Sequence, residues 1–202
     1  MRTADADILI IPGWSSSGED HWQSRWERSL KTARRVEQDD WFNPDRQAWV
    51  GNIEKAIAAC GRPVVLVGHS LGVIAAVHAL SHGKAHGVKG AFLVAPADIE
   101  HADLWPVTQG QTLSPGHGGF APIPHHPLPC PSALVASAND PYCSLARARS
   151  FATLWGSKLM EAGEVGHINA QSGHGPWPDG LMQFGWFMRT LSEPHDKAEA
   201  KQ

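Results

Sequence analysis

The chain has 202 residues, 42% hydrophobic and 18% charged, which is enough to fill one sizeable core and too apolar for disorder away from the ends. A formal net charge of −3 with no block of Lys or Arg gives no electrostatic support for a nucleic-acid or membrane-surface partner. Three cysteines, Cys60, Cys130 and Cys143, make an odd count without C-x-x-C spacing, which argues against a disulfide framework and for reduced thiols in a cytoplasmic protein. From the N-terminus, Met1 to Asp7 leads into an apolar run from Ile8 to Gly13. That run is too short, and too acidic at its front, for a signal peptide, and no run reaches membrane-spanning length. Ile8–Ile11 reads as the first strand, ending at Pro12-Gly13. Trp22, Trp26 and Leu30 then recur every four residues, the stripe of an amphipathic helix.

Arg35–Gln38 reads as a short edge strand. Asn43-Pro44 reads as an N-cap followed by proline in the first turn of a helix that Gly61 and Pro63 close after Cys60. Val64–Val67 is a central strand, and Ser70–Leu80 a helix with little polar surface. Strands follow at Ala91–Val94, Ala133–Ala136 and Lys158–Met160, the last two separated by a helix over Ser144–Trp155. A final helix begins near Pro178 and is expected to turn Leu181, Phe184, Phe187 and Leu191 inward. Alternating strands and helices argue for an α/β fold with a mostly parallel sheet of about six strands and helices on both faces. Residues 97–131, rich in Pro, Gly and His, break the rhythm and suggest a lid or pocket wall, with a short helix around Leu104. The expected organisation is a single domain over 1–192 followed by a polar, frayed tail over 193–202.

The most informative motif is Gly68-His69-Ser70-Leu71-Gly72, a G-x-S-x-G pattern between the Val64–Val67 strand and the helix that follows. It describes a sharp strand-to-helix turn that holds a serine hydroxyl clear of the sheet. A serine hydroxyl needs a base to remove its proton, and the base needs a third group to fix its tautomer. The expected order after such a turn is serine, acid, histidine. Asp140, just past the Ala133–Ala136 strand, and His167, just past the Lys158–Glu161 strand, supply it. Asp98 is the alternative acid and His174 the alternative base, while His69 is expected to be packed or hydrogen-bonded locally. The oxyanion of an acyl-transfer intermediate needs prepositioned donors. The backbone N–H groups of Leu71 and of Trp14, in the Gly/Ser-rich loop after the first strand, are the candidates. Twelve histidines raise a metal site, but no H-E-x-x-H or Cys/His cluster is present. Without G-x-G-x-x-G or G-x-x-x-x-G-K-[ST], a nucleotide cofactor has no anchor, so no metal and no cofactor are expected.

With these residues in place, the chain resembles the small single-domain α/β-hydrolases of the retinoblastoma-binding-protein-nine or YdeN-like family. The matching stretches are Pro12-Gly13-Trp14, Asp20-His21-Trp22-Gln23, Arg25-Trp26-Glu27, the Ser70 turn, Ala95-Pro96-Ala97-Asp98, Asn139-Asp140-Pro141-Tyr142, Gly166-His167-Ile168-Asn169 and Gly175-Pro176-Trp177-Pro178. The resemblance implies an α/β-hydrolase fold without a large cap domain and a serine hydrolase acting on an ester or related acyl bond, with Ser70, Asp140 and His167 as catalytic residues. Family members often carry two aspartates where this chain has Asn139-Asp140, and the second position is the retained one. The expected substrate is a small acyl compound, with Trp14, Trp22, Phe120 and Trp177 lining a small apolar pocket that favours short acyl chains; the alternatives are a core place for Trp22 in its helix stripe and a broad groove under residues 97–131 that admits longer acyl or peptide-like substrates. Two other readings use the same residues: an interaction protein that keeps the scaffold, and an acyltransferase or thioesterase with a different acceptor.

Overall fold

The computed structural model describes residues 1–104 and 117–191. Six parallel strands form one sheet: β1 (Asp7–Ile11), β2 (Ala33–Arg35), β3 (Val64–Ser70), β4 (Val88–Pro96), β5 (Ser132–Ala136) and β6 (Lys158–Glu161), in the spatial order β2-β1-β3-β4-β5-β6. Five helices connect or follow them: α1 (Trp22–Ser29), α2 (Arg46–Ala58), α3 (Leu71–Ser81), α4 (Leu145–Trp155) and α5 (Pro178–Thr190). Strand side chains alternate between the two faces, so one sheet feeds two apolar layers. Leu9, Ile11, Leu66, Leu93 and Leu134 pack with α2, α3 and α4 on one side. Ile8, Ile10, Val65, Val67 and Phe92 pack on the other side against Trp22 and Trp26 of α1 and Phe184, Phe187 and Met188 of α5. Nearly every residue of β1, β3, β4 and β5 is buried, as a sheet covered on both faces requires. Among the described residues there is no large cap domain, and the parallel sheet covered on both faces is the α/β-hydrolase arrangement that the resemblance implies.

Strand order reverses between β1 and β3, because β2 lies on one side of β1 and β3 to β6 lie on the other. Such a switch point opens a crevice beyond the carboxyl ends of the strands. The loops after β1, β3, β5 and β6 meet there.

Several boundaries differ from those read in the sequence. β2 occupies Ala33–Arg35 rather than 35–38, since Val36 N–H already bonds Ile10 C=O at the strand's end. The N-cap of α2 is Asp45, whose Oδ1 accepts the Ala48 N–H at 2.8 Å. Asn43 is instead held by Asp40, which accepts both its backbone N–H and its side-chain amide. On α5, Phe184 and Phe187 are buried, but Leu181 is 42% exposed. Its expected place under the first turn is taken by the Trp177 ring, which lies so close to Gly180 that a β-carbon there would sit 2.1 Å from it. Ile99–Leu104 forms 3-10 turns, in the region where a short helix is expected. The later part of the 97–131 stretch packs against the α2–α4 face, with Phe120 and Ile123 in that core and Trp155 Nε1–H donating to Pro124 C=O. Residues 105–116 of the lid-like stretch, and the tail 193–202, lie outside the described residues. Among the described residues no helix is long and apolar enough to cross a membrane.

Candidate active site

β3 ends in a turn that places Ser70 at φ 56° and ψ −125°, a region that side chains with a β-carbon occupy only when their surroundings enforce it. Two close approaches enforce it. A β-carbon on Gly72 would lie 2.2 Å from Ile11 O and 2.4 Å from Pro12 O, so the start of α3 is pressed against the end of β1. A β-carbon on Gly13 would lie 2.7 Å from the Ser70 Cβ, so the β1 loop runs directly over the serine. The Ser70 hydroxyl does not cap α3. Its O–H points to His167 Nε2 at 2.9 Å.

On the other side of the imidazole, Nδ1–H faces the Asp140 carboxylate, with both oxygens at 2.9 Å. The Asp140 side chain is 2% exposed, and its Oδ1 also accepts the Tyr142 N–H at 2.9 Å. The loop carrying His167 is held from three directions. Asn139 Oδ1 accepts the Gly166 N–H at 2.7 Å, His69 Nε2–H donates to the His167 carbonyl at 2.9 Å, and the Tyr142 ring packs on the imidazole with centroids 4.4 Å apart. His21 and His69 stand next in line, their rings 4.8 Å apart. Burial holds His69 well below its ordinary pKa, and the neighbouring His21 and His167 push the same way. Burial also pushes His21 down to about 3, assisted by His167, Arg35 and His174. Both are therefore neutral at neutral pH. The Tyr142 hydroxyl is raised, chiefly by burial and then by the Asp140 charge.

A cavity of about 550 Å³ opens over Ser70, with Trp14, His21, Leu71, Tyr142, His167 and Asn169 among its walls. A larger hollow of about 660 Å³ lies against Trp155 and Trp186. Cys130 on its wall is pushed up to about 12 by burial and so stays protonated, and no histidine is among its described lining residues to activate Ser132 or Thr190, which leaves the smaller cavity as the place for chemistry. Among the described residues no group of three or more His, Cys, Asp or Glu is placed to hold a metal ion.

The serine hydrolase family model matches residues 8–186. The chain belongs to the serine hydrolase family. A solved structure assigned as a YdeN-like hydrolase from Pectobacterium atrosepticum is 35% identical, with 94% of each chain covered and a TM-score of 0.81. The ydeN gene product of B. subtilis is 18% identical over 90% of this chain and 98% of its own, with a TM-score of 0.64. A hydrolase structure from Agrobacterium vitis is 15% identical over 95% and 90%, with a TM-score of 0.70. The last two show the fold alone. No curated protein sequence matches the chain.

In this serine hydrolase, Ser70, His167 and Asp140 come together, and Trp14 and Leu71 border the same cavity. The Leu71 N–H belongs to the first turn of α3, where N–H groups lack intrahelical acceptors. Among the described residues the Trp14 N–H makes no hydrogen bond either, while its indole N–H donates to Phe42 C=O. The other three aromatic residues expected around the pocket are core residues. Trp22 is 0% exposed and donates to Ile168 C=O, Trp177 stacks on Trp26, and Phe120 lies on the opposite face of the sheet against Trp49 and His78. Asp98 is bound to His101 and Arg147, and His174 to Ser172, so neither reaches Ser70. His69 is packed, but its partner lies far along the chain at His167. Asn139, Tyr142 and His21 are parts of the site that motif reading does not single out. Proximity to Asp140 would have flagged the first two, and position just before the Trp22 stripe the third.

Proposed function

We propose that this protein hydrolyses a carboxylic ester or related acyl bond through an acyl-serine intermediate. Ser70 Oγ attacks the carbonyl carbon while His167 Nε2 takes the hydroxyl proton. The carbonyl π electrons move to oxygen, and the Trp14 and Leu71 N–H groups hold that oxyanion. As the intermediate collapses, the C–O bond to the alcohol breaks and His167 returns its proton to the departing oxygen. Water then attacks the acyl-serine, His167 takes its proton, and collapse releases the acid and restores Ser70 as the proton passes back. Asp140 keeps the His167 proton on Nδ1 and stabilises the imidazolium. No cofactor takes part.

The observation that carries this reading is the unbroken chain from Ser70 Oγ through His167 to the buried Asp140 carboxylate, each step 2.9 Å. An interaction protein has no use for a buried carboxylate behind a strained serine. The test is steady-state hydrolysis of a chain-length series of p-nitrophenyl esters by wild type and Ser70→Ala. Turnover by wild type that falls several orders of magnitude in the variant supports the reading, and folded wild type without turnover contradicts it. Faster transfer to an added alcohol or amine than to water would redefine the protein as an acyltransferase.

A further inference from the structure

Resting on that reading, we infer that the cavity selects acyl groups carrying an uncharged oxygen acceptor, which the Nε2–H of His21 binds. His21 is the N-cap of α1, and its Nδ1 accepts the Gln23 N–H at 3.1 Å. That bond fixes the tautomer: Nδ1 is the acceptor, so the single ring proton resides on Nε2. Among the described residues Nε2 has no partner and is not one of the sealed polar atoms, and His21 borders the cavity over Ser70. The ring is pinned edge-on against His69, 94% buried by residue, so the donor is held in place and not free to turn away. Burial keeps it neutral across the working pH range.

The rest of the wall agrees. Ser15, Ser16, Asn169 and Gln171 bring polar groups to the cavity where three of the four expected aromatic side chains are missing. The charged groups there are Glu19 and Asp20, with Asp20 already paired to Arg25 at 3.0 Å, and no Lys or Arg is among the described lining residues. An anionic acyl group would therefore meet carboxylates and no cation. The side of the substrate follows from the mechanism. The alcohol must leave beside His167 Nε2 and the oxyanion must sit at Trp14 and Leu71, so the acyl substituent is left to the other walls: the rest of the β1–α1 segment with Ser15, Ser16 and His21, and Ala97, Tyr142 and residues 169–171. A purely alkyl acyl group would exclude water from Nε2–H and leave it unpaired, which penalises it beyond the hydrogen bond forgone.

The experiment compares p-nitrophenyl methoxyacetate, its near-isostere p-nitrophenyl butyrate, and p-nitrophenyl hemisuccinate as the anionic arm. Each kcat/KM is divided by the ester's own alkaline hydrolysis rate, to remove intrinsic reactivity. Wild type is expected to favour methoxyacetate over butyrate by about 10-fold, with hemisuccinate no better than butyrate. In His21→Asn, which keeps an N-capping side chain but is too short to donate into the cavity, the ratio is expected to fall to about 1–2. A wild-type ratio near 1, a preference for hemisuccinate, or a ratio that survives in His21→Asn overturns the inference. If other p-nitrophenyl esters of the chain-length series turn over in a Ser70-dependent way but neither of these two neutral esters does, the inference fails alone. If Ser70 does not react at all, the hydrolase reading fails and takes the inference with it.

Discussion

Replacing Asp140 by Asn tests the site at one atom pair. Oδ1 of Asp140 accepts the Tyr142 N–H at 2.9 Å, and that bond orients the group. An asparagine keeping it must place its carbonyl oxygen at Oδ1 and its amide nitrogen at the Oδ2 position, 2.9 Å from His167 Nδ1. Two N–H groups cannot face each other there. The carbonyl oxygen kept at Oδ1 also lies 2.9 Å from Nδ1 and still competes for its proton, but the amide N–H at the Oδ2 position favours the tautomer that carries its proton on Nε2, where it can no longer take the Ser70 proton. The charge that stabilises the imidazolium is lost as well. Together these effects correspond to a fall of about 10⁴ in kcat, or about 5.4 kcal/mol at 1.36 kcal/mol per decade. Steady-state hydrolysis of an activated ester at neutral pH measures it, with a circular dichroism melt to verify folding. Asp98→Asn is the matched control, because Asp98 is paired with His101 and Arg147 and does not touch His167. A fall of less than about 10-fold in Asp140→Asn, or a crippled Asp98→Asn, would refute the reasoning.

Further predictions follow from the supports of the site. Gly72→Ala should destabilise the fold by about 3 kcal/mol or more, because backbone oxygens 2.2 and 2.4 Å from the new β-carbon must move by nearly an ångström. By contrast, Gly51→Ala, inside α2 with nothing within 4 Å, should stabilise it by about 0.5–1 kcal/mol. Urea unfolding separates the two, and equal effects would contradict the packing described. Asn139→Ala removes the acceptor of the Gly166 N–H and should cost about 1–3 kcal/mol of stability. It should also lower kcat, and an unchanged kcat in the folded variant would show that the His167 loop does not need this bond. Acid should weaken the fold through His21. Its folded pKa is depressed to about 3, so the unfolded chain binds a proton that the native state does not. Stability is full above the unfolded value near 6.5 and declines as pH falls toward 3. Between pH 7 and 5 the His21 share is about 2 kcal/mol, His69 adds in the same direction, and urea midpoints that do not move would count against it.

The parts of the site that were legible in the sequence are those fixed by position along a strand. A serine between an apolar strand and an apolar helix, and an acid and a histidine just beyond later strands, are placed by the topology itself, because parallel strands deliver their ends to one edge. Aromatic residues carry no such address. Trp22 follows the cavity-lining His21 directly, yet the four-residue stripe it shares with Trp26 turns it under the sheet, and Phe120 packs on the opposite face from the segment expected to cover Ser70. The site's supports were hidden for a different reason. Asn139 acts through its bond to the Gly166 N–H of a loop and His21 through its bond to the first turn of α1, contacts that no periodicity records. The N-cap of α2 was missed because Asn43 and Asp45 are both ordinary capping residues, and only the turn held by Asp40 decides between them.

The central claim is a nucleophilic serine driven by His167, and covalent trapping tests it most directly. Folded protein treated with a fluorophosphonate, followed by intact-mass and peptide mass spectrometry, should show one adduct per chain, located on Ser70. That adduct should be lost in Ser70→Ala and strongly slowed in His167→Ala. An adduct on another residue, or equal labelling of wild type and His167→Ala, would contradict the account.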